Sequence, residues 1–159
     1  MKPVKNRTAR KVQEMLGDAF NVLEFDVPTR SAHEAAQAIG CDVSQIAKSL
    51  IFRTHADDPV LVIASGVSRV DQGKVATVLG RPISRADADF VRDKTGYSIG
   101  GVPPLGHVTP PKVLIDITLE GISRIWAAAG TPNAVFSLCL LYTSPSPRDR
   151  SLSRMPSSA

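Results

Sequence analysis

KSLIFRTHADDPVLVIAS, residues 48–65, decides the fold class. Its two apolar runs, KSLIFR (48–53) and PVLVIAS (59–65), are of strand length, and a short polar THADD separates them. That pattern reads as a β-hairpin. Helical patterns flank it. Upstream, Ser31 has the character of an N-cap and Glu34 follows three positions later, a capping-box spacing. The helix it opens runs through Ala35, Ala36 and Ala38 to Gly40. A second short helix is expected over residues 43–46, with Asp42 as its cap. Downstream, Asp71 caps a helix expected over residues 72–79, which Gly80 ends.

Further out, residues 4–16 read as an amphipathic helix. Val12, Met15 and Leu16 share one face, Lys and Arg occupy the other, and Gly17 is the stop. Residues 21–26 read as a strand ended by Pro28. Residues 82–84 make a brief strand and 85–95 a helix. Residues 96–111 hold four Gly and four Pro and read as a loop. Residues 112–117 are a β-branched strand. Residues 123–129 are ambiguous, because the Ala run favours helix. The turn cluster Gly130-Thr131-Pro132-Asn133 and the apolar Ala134-Val135-Phe136 are better explained by a second hairpin. Strands and helices are interspersed without strict alternation. The pattern predicts a mixed α+β fold around a largely antiparallel β-sheet or partial barrel flanked by helices.

The chain of 159 residues is long enough to bury a core without disulfides or metals. Residues 1–138 are read as that domain. Residues 139–159 contain six Ser, three Pro and three Arg, cannot bury enough apolar surface to order themselves, and resemble a translated cloning scar. The net charge is +4, which suits an anionic partner such as RNA. The tail contributes +2 of it, from three Arg against Asp149, so composition alone is a weak pointer. Cys41 and Cys139 show no metal-ligand spacing. The charged N-terminus lacks a signal-peptide core, and no apolar run is long enough to span a membrane. A cytoplasmic location is the expectation.

Conventional catalytic signatures are missing: no GxSxG, HExxH, CxxC or P-loop occurs. His33, His55 and His107 have no ligand spacing, so neither a metal nor a cofactor is expected. Three segments remain. TGYSIGGVPPLGH (95–107) pairs Gly100 and Gly101, which allow positive φ and close backbone approach, with the stiffening Pro103 and Pro104. Such a loop holds an oxyanion or ribose and phosphate oxygens, or is an ordinary rigid turn. Lys48 opens an apolar strand; it faces a pocket, or is solvated at a strand end. ASGVSRVD (64–71) sets Ser65, Gly66 and Arg69 after a strand. Arg69 meets a phosphate or pairs with Asp71.

These segments, in this order and with the IWAAAGTPNAVF hairpin, resemble the YbaK/prolyl-tRNA-synthetase-associated editing domain family over residues 4–138. The resemblance implies an aminoacyl-tRNA deacylase acting in trans on mischarged tRNA, tRNA-Pro carrying a small wrong amino acid. The 3′ end of that tRNA is the implied partner, with prolyl-tRNA synthetase a further one. The resemblance assigns Lys48, Gly100 and Gly101 to catalysis. Lys48 engages the terminal adenosine and orients the ester, and residues 100–104 shape the aminoacyl pocket beside the scissile carbonyl. Ser65, Gly66, Arg69, Val102, Pro103, Pro104 and His107 are then substrate-binding residues. His107 contacts substrate or orders water, or only packs the loop. Asp116 is read as structural. The family's last helix is replaced here by the Ser/Pro/Arg tail. GGVPP departs from the common GGxSP, which weakens cysteinyl specificity and leaves alanine, serine, threonine and 2-aminobutyrate. The alternative is a non-catalytic tRNA- or synthetase-binding module. A metal-dependent nucleotide or phosphate-sugar hydrolase lacks its ligands.

Overall fold

The computed structural model describes residues 2–29, 31–138 and 152–155. Strands β3 (Ile46–Thr54) and β4 (Pro59–Ser65) form the expected hairpin, in register from Ala47 opposite Ser65 to Arg53 opposite Pro59. Its turn is closed by Thr54, whose N–H donates to Asp58 O and whose hydroxyl accepts Asp58 N–H. Asp57 sits at φ 63°, a left-handed conformation that aspartate tolerates. Every residue of β4 is buried, so both faces of this strand are covered.

The hairpin is the middle of one open mixed sheet. β1 (Lys2–Pro3), β2 (Val22–Glu24), β8 (Ala134–Leu138) and β7 (Ile125–Ala128) lead to β3, and β4 continues to β6 (Lys112–Asp116) and β9 (Leu152–Met155). β5 (Ile83–Arg85) pairs with the far end of β3. Five pairings are antiparallel and three, β3–β7, β4–β6 and β6–β9, are parallel. Residues 152–155, part of the tail expected to be unstructured, instead pair in parallel with β6 as β9, while residues 139–151 and 156–159 lie outside the described residues.

Helices α1 (Arg7–Leu16), α2 (Ala32–Ile39), α3 (Gln72–Leu79) and α4 (Ala88–Thr95) begin at side-chain caps, and a glycine follows each. Asn6 Oδ1 accepts Thr8 and Ala9 N–H, so α1 starts three residues later than expected. Asp87 Oδ1 accepts Phe90 N–H and starts α4 after Arg85, which ends β5 instead. The 43–46 helix is a single 3-10 turn, Val43–Gln45, with a full Asp42–Gln45 capping box. Each cap is worth ~1 kcal/mol.

Two apolar clusters cover the two faces. One joins Val12 of α1, Leu61, Ile115, Leu119, Ile125 and Phe136. The other packs Phe52, Val60, Val62 and Leu114 against Val75 of α3. Fully burying a side chain such as Leu61 contributes about 1.5–3 kcal/mol. A third, smaller cluster seats Ala35 and Ala36 of α2 on Ile46.

Candidate functional site

β3 has a gap along one edge. Gly66 N–H donates to Ile46 O and Thr54 N–H to Asp58 O, so even-numbered residues of β3 direct their backbone groups toward β4. Odd-numbered residues face the opposite edge. There β7 pairs at Ile46–Ala47 and β5 at Phe52–Thr54. Between them lies Ser49, whose N–H and C=O groups fall outside both pairings. The Ser49 hydroxyl has no hydrogen-bond partner among the described residues, although its oxygen is buried.

A groove runs over this gap as two adjoining cavities of about 570 and 260 Å³. Both are lined by Lys48, Ser49, Leu50, Ile99, Gly100 and Val102. The larger adds Arg69, Gln72 and Arg85, groups suited to sugar and phosphate oxygens. The smaller adds Ala32, Ala35, Trp126, Ala127, Ala128 and Pro132 among others, a largely apolar wall. Polar and apolar binding therefore meet at Lys48, Ser49 and Gly100.

Lys48 is held from behind. Its Nζ donates to Ser68 O at 2.7 Å. The Ser65–Ser68 turn that presents this oxygen closes through Ser68 N–H to Ser65 O. Ser65 is fully buried and its hydroxyl donates to Ser44 O. A Cβ on Gly66 would lie 2.4 Å from Val43 O, so only glycine fits this approach. Ser65 and Gly66 thus lie behind the groove, outside its lining. Asp116, with no exposed surface, accepts Thr118 N–H at 3.0 Å and Ser65 N–H at 3.4 Å. Burial pushes the Lys48 ammonium below the ordinary lysine range, and the Asp116 carboxylate opposes that shift. Arg69 is exposed and lines the larger cavity; the Asp71 carboxylate instead caps α3.

The glycine loop forms the facing wall. Gly101 N–H donates to Ser98 O, and Gly100 sits at φ 91°, the left-handed position of the turn. This turn pushes Ile99 out, 56% exposed, over the groove. Gly101 lies against the β7–β8 turn: its carbonyl accepts Gly130 N–H, and a Cβ would come within 2.6 Å of Thr131 Cα. Val102 lines both cavities, whereas Gly101, Pro103, Pro104 and His107 line neither. Pro103 is among the fully buried residues. The His107 ring is bonded through Nε2 to Pro103 O at 2.6 Å, while its Nδ1 is buried without a partner. Burial holds the imidazole below its ordinary pKa, and the Pro103 contact opposes this. His107 is thereby tied to its own loop at Pro103.

Of the residues expected at the site, the fold brings together Lys48, Arg69, Gly100 and Val102. Ser49, Ile99 and Arg85 join them without having been singled out in the sequence. Their signal is positional: Ser49 follows Lys48 and faces the unpaired edge, which only the sheet order discloses. No group of three or more metal-ligating side chains occurs among the described residues. No described helix is long and apolar enough to cross a membrane.

The model of the aminoacyl-tRNA editing domain family matches residues 26–141. The uncharacterized protein YwhH of Bacillus subtilis (strain 168) is 33% identical over 118 residues, 74% of this chain and 75% of that protein. The proline–tRNA ligase of Limosilactobacillus fermentum is 31% identical over 102 residues, 59% of this chain but 18% of the ligase. A crystal structure described as a candidate trans-editing enzyme for prolyl-tRNA synthetase superposes with a TM-score of 0.82. It is 38% identical, with 96% of this chain and 98% of that chain covered.

Proposed function

The chain belongs to the aminoacyl-tRNA editing domain family, and on that premise we propose that it hydrolyses the ester of mischarged tRNA in trans, tRNA-Pro bearing a small wrong amino acid. The observation that carries this reading is the junction of the two cavities at Lys48, Ser49 and Gly100. The terminal ribose and its phosphate occupy the larger cavity beside Arg69 and Arg85. The aminoacyl side chain enters the smaller, apolar one. The scissile carbonyl then lies at the junction.

An aminoacyl ester is already activated, so the protein needs to supply orientation, oxyanion stabilisation and a placed water. Lys48, fixed on Ser68 O, orients the ester from one side. The Ser49 N–H at the sheet gap stabilises the developing oxyanion. Water adds to the carbonyl carbon, the bond to the ribose oxygen breaks, and that oxygen leaves with a proton from the water. A single well-placed oxyanion donor contributes about 3–4 kcal/mol. No protein nucleophile takes part. The candidates are alanine, serine, threonine and 2-aminobutyrate, because GGVPP departs from GGxSP, and the Ala32, Ala35, Ala127 and Ala128 wall suits a small, largely apolar side chain.

The experiment is a deacylation panel on tRNA-Pro charged with each of these, with cysteine, and with proline as the control. Turnover of one or more small mischarged species, with Pro-tRNA spared, is the expected result. Tight tRNA binding without turnover of any species would establish the non-catalytic binding module instead.

A further inference from the structure

We propose that the exposed face of α1 is a docking surface for the base-paired stem of an RNA whose 3′ end enters the groove. The inference rests on the editing reading for the identity of that RNA, and on the structure for the surface. Lys5, Arg7, Arg10 and Lys11 line one shallow concavity in which Glu14 is the only carboxylate-bearing residue. All four cations are exposed. None of them makes an ion pair with a carboxylate among the described residues. The Glu24 carboxylate, which reaches this segment, is engaged by backbone: its Oε1 accepts the N–H of both Lys5 and Asn6 at 2.6 Å. The concavity therefore keeps a local excess of three positive charges.

These charges are only partly balanced along the helix that carries them. Arg7 and Lys11 are like charges one turn apart, a destabilising spacing, and Glu14, one turn after Arg10, offsets one of them. No acidic residue occupies the first turn. A surface that holds four cations against one carboxylate fits an anionic partner.

The position of α1 says which part of the partner it meets. A Cβ on Gly130 would fall 3.0 Å from Thr8 and 3.2 Å from Val12, so the buried side of α1 lies on the β7–β8 turn. The next residues of that turn, Thr131 and Pro132, line the smaller cavity. The cationic face is thus about one helix diameter, roughly 10–12 Å, from the groove wall. An RNA whose terminal ribose and phosphate sit in the larger cavity leaves the groove there, and its stem meets that face by turning back over the β7–β8 turn. Flexible exposed Arg and Lys neutralise phosphates without reading bases, which suits a stem held for position.

The test removes three charges while keeping helix-forming residues: Arg7→Gln, Arg10→Gln and Lys11→Gln together. A control removes three exposed charges elsewhere, Lys74→Gln, Lys112→Gln and Arg124→Gln. Binding of uncharged tRNA-Pro is measured across 50–200 mM NaCl, with melting temperature confirming the fold. The α1 variant is expected to bind tRNA about tenfold or more weakly at low salt, with a log–log salt slope shallower by up to about 2.7. Its KM for mischarged tRNA rises, while hydrolysis of a short mischarged 3′-terminal oligonucleotide is unchanged. Unchanged tRNA affinity and slope would overturn the proposal. An equal loss in the control, or loss of prolyl-tRNA synthetase binding with tRNA affinity intact, would overturn it too. Binding that depends on α1 in a protein that hydrolyses nothing would sink the editing reading and leave this surface standing.

Discussion

Lys48 combines a fixed position with a perturbed charge. Its ammonium is anchored on Ser68 O, and burial lowers its pKa against the pull of Asp116. If the ammonium orients the ester, activity falls as pH rises and Lys48 loses its proton. The midpoint lies below the ordinary lysine range, after subtraction of spontaneous ester hydrolysis. Lys48→Arg keeps the charge at high pH and should remove that alkaline limb while lowering the rate, since a planar guanidinium cannot reproduce the contact. A rate profile for both proteins checks this; an identical alkaline limb in the arginine variant would assign the titration elsewhere. His107 makes the opposite-facing prediction for stability. Its folded pKa is depressed, so the unfolded chain binds the proton first. The stability it contributes is full above about pH 6.5. It is lost as pH falls from there through the lower folded value. Thermal melts between pH 7.5 and 5 should show this loss in the wild type. It should be smaller in His107→Gln, whose side-chain amide can still donate to Pro103 O.

At the scale of elements, the site depends on two glycine approaches that differ in kind. A Cβ on Gly100 finds open space, with Pro132 Cγ at 3.8 Å, but φ is 91°. Gly100→Ala should therefore cost about 1–2 kcal/mol from backbone strain. A Cβ on Gly101 meets the Thr131 backbone at 2.6–2.8 Å. Gly101→Ala must part the loop from the β7–β8 turn and break the Gly130 N–H to Gly101 O bond. It should cost more than Gly100→Ala, about 2–3 kcal/mol, and should raise KM as the groove wall moves. Urea denaturation of the two variants gives the order; equal costs would contradict the packing described for Gly101.

The same loop marks what could be read from the chain before any fold was known. Gly100 and Gly101 announce a special backbone, because composition signals where ordinary residues are excluded. Local signals also located the β3–β4 hairpin and the caps at Ser31, Asp42 and Asp71. Asn6 and Asp87 carry the same signal and set starts that apolar periodicity alone placed too early. The parallel pairings of β3 with β7 and β4 with β6 have no local mark, since they join segments distant in sequence. The gap at Ser49 follows from where β7 and β5 each stop along β3, and so Ser49 is invisible as a site residue in the sequence. Ser65 and Gly66 were recognisable as important, but their part in the fold, holding the turn that anchors Lys48, needed the three-dimensional arrangement.

At the scale of the whole molecule, the charge of the chain resolves into places. Arg69 and Arg85 are in the groove, and the α1 cations lie beside its end. On the proposed docking, a small mischarged oligonucleotide meets only the first set, whereas a tRNA meets both. Hydrolysis of tRNA should therefore lose kcat/KM with added salt more steeply than hydrolysis of the oligonucleotide. Parallel salt dependences would leave the two surfaces energetically unconnected. The central claim is that the Lys48–Gly100 groove is the hydrolytic centre. Its most direct test is single-turnover deacylation of Ala-tRNA-Pro by the wild type and by Lys48→Ala, each at saturating protein. The account predicts rapid release of alanine by the wild type and a rate about 100-fold lower in the variant, with the fold intact. A variant as fast as the wild type would contradict it.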